Sequence, residues 1–176
     1  KQNLSGARAE FERALELQPE GLEAFGGLVA LDLAARNYAS ARRRVDARIA
    51  DKPTATLLTL AARTYGAGGD MAAAERFLRQ ALDLDNAYLE AYSGLGQLYL
   101  SQGKLAAARA EFEALVARSP KSVAALTMVG IILQAEGNES QARDRFEQAL
   151  LVDSGAAVAA NNLAWMYAVN GGNLDI

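Results

Sequence analysis

An alanine followed four residues later by a large apolar residue recurs along the whole chain. The five pairs are Ala7/Phe11, Ala41/Val45, Ala74/Leu78, Ala108/Phe112 and Ala142/Phe146. Successive alanines stand 34, 33, 34 and 34 residues apart. A fixed period of this length is typical of repeat proteins, whose units pack on their neighbours instead of closing a separate core. The search for function therefore moves from catalytic residues to the surface that an array of repeats presents.

Each period reads as two helices separated by short turns. Between the two helices of three units, where a left-handed residue would end the first helix, stand Gly69, Gly103 and Gly137. Arg36-Asn37 takes the same place in an earlier unit. We expect Asn37 to adopt the left-handed conformation there, because Asn tolerates it. Proline cannot continue a helix, and the second helices of three units are followed by Pro19, Pro53 and Pro120.

The clearest pair of helices is predicted over residues 89–102 and 105–118. In the first, one helical face carries apolar and small residues at i, i+3, i+4 and i+7, namely Tyr92, Leu95, Gly96 and Tyr99. The second repeats the pattern from Ala108. Small residues at Gly96 and Ala108 would let the two helix backbones approach closely, and large neighbours would fill the space around them.

These residues resemble the tetratricopeptide repeat (TPR), whose pattern is W-x2-L-G-x2-Y, then A-x3-F, then P, over 34 residues. The best match runs from Tyr92 through Gly96 and Phe112 to Pro120, and the units that begin at Leu126 and Leu58 match next best.

The unit that begins at Phe25 is the weakest match to this pattern. Asp32 stands where an aromatic residue is usual, and Arg48 stands where a small one is usual. We expect this unit to be the least regular, with Asp32 pairing with Arg36 four residues further along the helix.

The resemblance implies an all-α fold of helix-turn-helix repeats, stacked into a right-handed α-solenoid superhelix. Whole repeats are predicted at 22–54, 55–88, 89–122 and 123–156, with a second helix alone at 1–21 and a first helix alone at 157–176. The stretch between Pro53 and Tyr65 is one residue shorter than its counterparts, and we place the missing residue in the turn after Pro53. The two half-repeats predict a piece of a longer TPR protein. The composition and the segment 161–165 are similar to those of bacterial TPR proteins.

Composition excludes several classes of site. Cysteine and histidine are both absent, so disulfides, Cys or His metal sites and Ser-His-Asp catalysis are excluded. No phosphate-binding loop is present, because Gly66, Gly68 and Gly69 lack a following Lys-Ser/Thr. The carboxylates are spread regularly over helix surfaces without a pocket signal. We therefore expect no metal, no cofactor and no enzymatic activity.

Charge and hydropathy limit the partners. A net charge of −3 argues against nucleic acid, whose binding needs a basic face. The longest apolar run, Val123 to Leu133, is about half a membrane span, so we expect no membrane insertion by this segment. The sequence is compatible with a cytoplasmic and with a periplasmic location. A longer parent protein anchored as a lipoprotein is one form of the periplasmic alternative.

The expected functional surface follows from the resemblance. In TPR arrays the first helices of successive repeats line a concave groove, and the residues between the packing positions face it. Polar side chains there would bond a peptide backbone or carboxylate, and Met128, Ile131 and Trp165 would form a pocket for an apolar anchor. The candidate groove residues are Thr59, Arg63, Ser93, Gln97, Thr127, Met128, Ile131, Gln134, Asn161, Asn162 and Trp165.

Other interpretations remain open at this point. The polar residues of the groove are also compatible with ordinary solvated positions, and the apolar ones with packing against further helices. The basic cluster of Arg42, Arg43, Arg44 and Arg48 is interpreted as a solvated face rather than a site for an anionic partner. Only isolated groove positions fit the Lys, Asn and Arg clamp with which some TPR proteins bind acidic chaperone tails, which argues against that role.

The leading hypothesis is a non-catalytic protein–protein interaction scaffold that binds a peptide or helix of a protein partner. The alternatives are a self-associating spacer that stacks head-to-tail, and an accessory segment of a larger enzyme or of a secretion or export assembly.

Overall fold

The structure is a computed structural model that describes residues 4–169. Within that range the chain forms ten α-helices and no strand. The helices are α1 (Leu4–Leu17), α2 (Leu22–Ala34), α3 (Tyr38–Asp51), α4 (Ala55–Ala67), α5 (Met71–Leu84), α6 (Leu89–Ser101), α7 (Leu105–Arg118), α8 (Val123–Ala135), α9 (Glu139–Val152) and α10 (Ala157–Val169). The predicted all-α class of helix-turn-helix repeats is confirmed.

The helices fall into two compact units that divide between Tyr88 and Leu89. In the first unit each helix from α1 to α4 packs on the next, and α2 also contacts α4. In the second unit each helix from α6 to α9 packs on the next, and α8 also contacts α10. We call the even-numbered helices first helices and the odd-numbered ones second helices. The exact limits of the repeats within the turns stay a prediction.

Left-handed residues end the first helices. Gly69, Gly103 and Gly137 have φ angles of 85°, 70° and 80°, as the sequence predicts. In the α2–α3 turn the left-handed residue is Arg36, with φ 57°, so the expectation for Asn37 was wrong. Asn37 instead caps α3, and its side chain accepts a hydrogen bond from the Ser40 backbone N–H. An Asn at this place serves better as an N-cap, because its side-chain oxygen satisfies an N–H that the helix leaves unbonded.

The shortened turn lies where the sequence places it. The α3–α4 connection contains only residues 52–54, whereas 85–88, 119–122 and 153–156 connect the later repeats. Thr54 ends this short turn and caps α4, because its hydroxyl accepts a hydrogen bond from the Leu57 N–H. The turn therefore loses a residue without losing its helix cap.

The contact inside the later repeats joins a glycine to an aromatic ring. A Cβ atom added at Gly96 would collide with the ring of Phe112, and one added at Gly130 would lie 2.6 Å from the ring of Phe146. Both rings are almost fully buried, with exposed fractions of 2% and 0%. The glycine thus makes room for a ring of the second helix, which is a more specific role than the predicted close approach of two backbones.

The two residues of this contact are sixteen apart, and the same spacing recurs in the earlier repeats with other residue sizes. All four pairs are buried: Gly96/Phe112, Gly130/Phe146, Ala62/Leu78 and Val29/Val45. As the residue on the first helix grows from Gly to Ala to Val, the residue on the second helix shrinks from Phe to Leu to Val. Because protein interiors pack to a nearly constant density, the two side chains of each pair together fill a similar volume.

We expect this exchange to be transferable. Gly96→Val should overpack the site and cost about 1–3 kcal/mol in the free energy of unfolding, and Phe112→Val should leave a cavity and cost about 2–4 kcal/mol. The double variant copies Val29/Val45, so it should be at least about 1 kcal/mol more stable than the sum of the single effects predicts. Urea unfolding of the four proteins measures this coupling.

A matched control combines Gly96→Val with Phe146→Val, whose residues belong to different contacts. That pair should be additive within about 0.5 kcal/mol. Equal coupling in both double variants would show that the sixteen-residue spacing has no special role.

Candidate functional site

Three first helices of the second unit border one cavity of about 580 Å³. Its walls come from α6, α8 and the start of α10, and two residues of α7 form its floor. We call it the α6–α8–α10 cavity. Its lining consists of Ser93, Gln97, Phe112, Leu115, Val123, Ala124, Ala125, Thr127, Met128, Ile131, Ala156, Ala157, Val158 and Ala159. This volume is in the usual range for binding pockets, about 300–1,000 Å³.

The cavity arises from the distribution of small and large residues on these helices. Alanines at the beginning of α8 and of α10 leave space between the helices, and the longer side chains of Met128 and Ile131 border that space. Only Ser93, Gln97 and Thr127 bring polar side chains to the lining. The cavity is therefore suited to apolar side chains, with a few polar groups able to orient a ligand.

Five of the eleven predicted groove residues line this cavity. They are Ser93, Gln97, Thr127, Met128 and Ile131, which come from two different repeats. Thr127 is only 7% exposed, so most of its surface is already covered by the protein. The structure thus brings these five side chains around a common space.

The predicted residues of α10 lie elsewhere. Trp165 is 57% exposed and does not line the cavity, whose α10 wall includes Val158 instead. The Asn162 side-chain N–H₂ donates a 2.8 Å hydrogen bond to the Val158 carbonyl, so this amide is occupied by its own helix. Asn161 is exposed, and Gln134 is half-buried towards the end of α8.

Thr59 and Arg63 lie on α4, in the first unit. Arg63 is exposed, as a groove residue should be. The Thr59 hydroxyl is buried and has no hydrogen-bond partner among the described residues. Its contribution to binding, like that of Arg63, stays a prediction.

The sequence interpretation missed the floor and one wall of the cavity. Phe112 and Leu115 were assigned only to packing between helices, and Ala124, Ala157 and Val158 carry little chemical signal. The available clue was the run of small residues at the start of α8 and α10, since alanines on facing helices leave unfilled space when no larger residue stands opposite.

In the first unit, Asp32 joins three helices. Its buried carboxylate, 2% exposed, accepts a hydrogen bond from Arg8 Nη2 of α1 at 2.6 Å and from Arg44 Nε of α3 at 2.8 Å. Asp32 therefore pairs with Arg8 and Arg44, and not with Arg36 as the sequence predicted. Burial raises the pKa of Asp32, but the hydrogen bonds and charges of the two arginines outweigh it, so the pKa lies below its usual value.

The basic cluster is used inside the first unit rather than displayed as a solvated face. Besides the Arg44 contact, Arg42 donates to the Gly68 carbonyl at 3.3 Å and lies over the Tyr65 ring. Arg48 donates to the Pro19 carbonyl at 2.7 Å and stacks on the ring of Phe25.

The remaining member of the cluster, Arg43, is exposed and donates a hydrogen bond to Ser40. The interpretation as a solvated face was wrong for three of the four arginines, and these contacts also argue against a patch for an anionic partner.

Three tyrosines, Tyr65, Tyr99 and Tyr167, occupy the position that Asp32 has in its own repeat. Tyr65 donates to the Asp46 carboxylate of the preceding second helix, at 2.9 and 3.0 Å, and Tyr167 donates to Glu147 at 3.0 Å. Burial and then the Asp46 hydrogen bond raise the pKa of Tyr65, and the Glu147 hydrogen bond raises the pKa of Tyr167. Tyr65 and Tyr167 stay neutral donors, so in their repeats this position ties a first helix to the second helix before it.

The described residues contain neither a cluster of metal-binding side chains nor a membrane-spanning helix. Across residues 4–169, no three acidic side chains are grouped closely enough to hold a metal ion. None of the ten helices in that range combines the length and the apolar character that crossing a bilayer requires.

Comparisons with known proteins agree with the repeat pattern. A family model described as tetratricopeptide repeat matches residues 67–132, and no curated protein sequence matches the chain. MamA, known from a crystal structure, is 21% identical with a TM-score of 0.69, over 88% of this chain and 91% of that one.

A thermophilic TPR protein of Thermus thermophilus gives 18% identity and a TM-score of 0.71, over 94% of this chain and 91% of that one. YrrB, described as a TPR protein with an unusual peptide-binding site, gives 21% identity and a TM-score of 0.65, over 90% of this chain and 82% of that one. At these identities the similarity shows a shared fold.

The ion pairs of Asp32 should make stability depend on pH. Asp32→Asn should lower the free energy of unfolding at pH 7 by about 3 kcal/mol, because two arginines lose a buried partner while staying partly hydrated. A lowered pKa in the folded state means that this stabilisation is fully present above the unfolded pKa of about 3.9 and is lost as the pH falls through the folded pKa. The difference between wild type and variant should therefore be constant from about pH 5 to 8 and shrink below about pH 4.

Urea unfolding across this pH range measures the effect. Asp51→Asn, at an exposed position on α3, is the matched control and should change stability by less than about 0.5 kcal/mol. A deficit in Asp32→Asn that stays the same at about pH 3 would contradict the role of its charge.

Proposed function

We propose that the chain, which has the fold of tetratricopeptide-repeat proteins, is a non-catalytic scaffold that binds a peptide or helix of a partner protein at the first helices of its second unit. The observation that carries the proposal is the α6–α8–α10 cavity, an apolar space of about 580 Å³ bordered by three separate helices. Because those helices are held by their own packing, the binding surface is preformed, and this lowers the entropic cost of binding.

Two proteins of the same fold support a peptide as the ligand. YrrB is described as having an unusual peptide-binding site. The first TPR domain of Spaghetti was solved bound to an HSP90 peptide; it is 19% identical with a TM-score of 0.60, over 67% of this chain and 94% of that one. Peptide recognition is thus compatible with this fold, and the lining of the cavity decides which peptides fit here.

The lining assigns different roles to its residues. Met128 and Ile131 of α8 would contact an apolar anchor of the partner, since aliphatic and thioether side chains adapt well to apolar ligands. Gln97 and Ser93 of α6 would bond polar groups at the edge of that anchor. Asn161 and Trp165 would extend the contact along α10.

The chemistry of the same lining supports the proposal of a non-catalytic role. The lining contains no Asp, Glu, Lys or Arg, so it offers no acid or base that titrates near neutral pH. Self-association by head-to-tail stacking and service as part of a larger assembly stay predictions of the sequence.

The proposal is tested with peptides selected from a random phage-displayed library on the chain. Met128→Gln or Ile131→Gln should raise the dissociation constant of the selected peptides at least tenfold, because loss of one apolar contact costs about 1.4 kcal/mol or more in binding free energy. Fluorescence anisotropy measures the affinity, and circular dichroism checks that each variant is folded.

Leu151→Gln is the matched control, since Leu151 lies on α9 with 86% of its surface exposed and does not line the cavity. It should leave the affinity unchanged. Equal losses in Leu151→Gln and Met128→Gln, or no loss in either cavity variant, would reject the cavity as the binding site.

A further inference from the structure

We propose that the partner segment is an amphipathic α-helix that inserts an uncharged apolar face into the α6–α8–α10 cavity. This inference rests on the proposed function and adds the conformation and the charge of the ligand. Two features of the second unit carry it: the distribution of charge between its helices, and the number of hydrogen-bonding groups in its cavity.

Charge is almost absent from the first helices of this unit. α8 and the described α10 contain no Asp, Glu, Lys or Arg, and α6 contains only Glu90. The second helices carry most of the charges: Arg109, Glu111, Glu113, Arg118, Glu139, Arg143, Asp144, Arg145 and Glu147. Lys104, Lys121, Glu136 and Asp153 lie in the turns. None of them lines the cavity, so a charged partner side chain inside it would lose water without an ion-pair partner in the lining, which is unfavourable. The lining favours an uncharged face.

Hydrogen bonding distinguishes a helix from an extended peptide. An extended segment presents one N–H and one C=O group for every residue. To bond them the cavity offers the side chains of Ser93, Gln97 and Thr127 and the N–H groups in the first turns of α8 and α10, which have no partner within a helix. The carbonyl groups in those first turns are used within the helices, so the cavity has few acceptors. Many N–H groups of an extended segment would therefore be buried without partners, which is unfavourable.

A helical ligand avoids this cost. Its backbone groups bond to one another along the helix, so only apolar side chains need to enter the cavity. Neighbouring helices pack about 8–10 Å apart, and a cavity that reaches across three of them suits about 12 residues of helix, with a rise of about 1.5 Å per residue. Such a segment places anchors at i, i+3 or i+4, and i+7 on one side.

Two synthetic peptides of about 16 residues and identical composition test the proposal. In one, leucines follow the i, i+3, i+4, i+7 pattern; in the other they alternate with polar residues, so that they share a face only in an extended chain. In both, alanine and glutamine surround the leucines, and lysines stand only on the opposite face. The helical-pattern peptide should bind at least tenfold more tightly, and its dissociation constant should change less than about twofold between about 50 and 500 mM NaCl.

Each outcome decides between the possibilities. Tighter binding of the alternating peptide would overturn the proposal of a helical ligand, and a tenfold loss of affinity at the higher salt concentration would overturn that of an uncharged one. In either case the proposed function would stand if Met128→Gln still weakened peptide binding. If neither peptide bound, both the proposed function and the helical ligand would be rejected. The same would follow if a peptide bound equally well to the wild type, to Met128→Gln and to Leu151→Gln. Concentration-dependent self-association that Met128→Gln abolishes would make a second copy of the chain the occupant, and would also overturn the proposal.

Discussion

The contact between a small residue on a first helix and a large residue on the following second helix sets the geometry of the repeats. In the second unit it is made by Gly96 with Phe112 and by Gly130 with Phe146, where the ring lies so close to the glycine Cα that no side chain fits between them. The spacing between the helices of a pair then depends on one ring thickness. In the repeat that departs most from the pattern, the equivalent positions carry Val29 and Val45, both fully buried.

A second set of contacts joins one repeat to the next, and it uses charge and hydrogen bonds. Arg8 reaches Asp32, Arg42 reaches the Gly68 carbonyl, and Arg109 lies 3.1 Å from Glu136, each from a second helix to the end of the next first helix. All three arginines directly follow a repeating alanine of the period. The charged residues of the second helices therefore have structural partners in addition to water. In the second unit the charges of α7 and α9 contrast with α8 and the described α10, which contain no Asp, Glu, Lys or Arg.

The sequence predicted those features that local chemistry determines. The period, the helix pairs, the glycine turns and the shortened turn after Pro53 each follow from the residues at that place, and they were confirmed. Apart from the left-handed residue of the α2–α3 turn, which is Arg36 instead of Asn37, the predictions that failed concern partners distant in sequence. Arg8 and Arg44 lie 24 and 12 residues from Asp32, so helix periodicity alone favoured the nearby Arg36. The cavity was predicted only in part for the same reason, because its α7 floor becomes visible when three helices are placed together.

Packing and recognition share a residue in this fold. Phe112 fills the space above Gly96 with one part of its ring and forms part of the cavity floor. The depth of the cavity is therefore linked to the same contact that sets the distance between α6 and α7. In a repeat with a Val–Val pair the floor would be composed differently, although the helices would still pack. Variation in the sizes of this buried pair is thus a route by which one repeat fold can offer different surfaces.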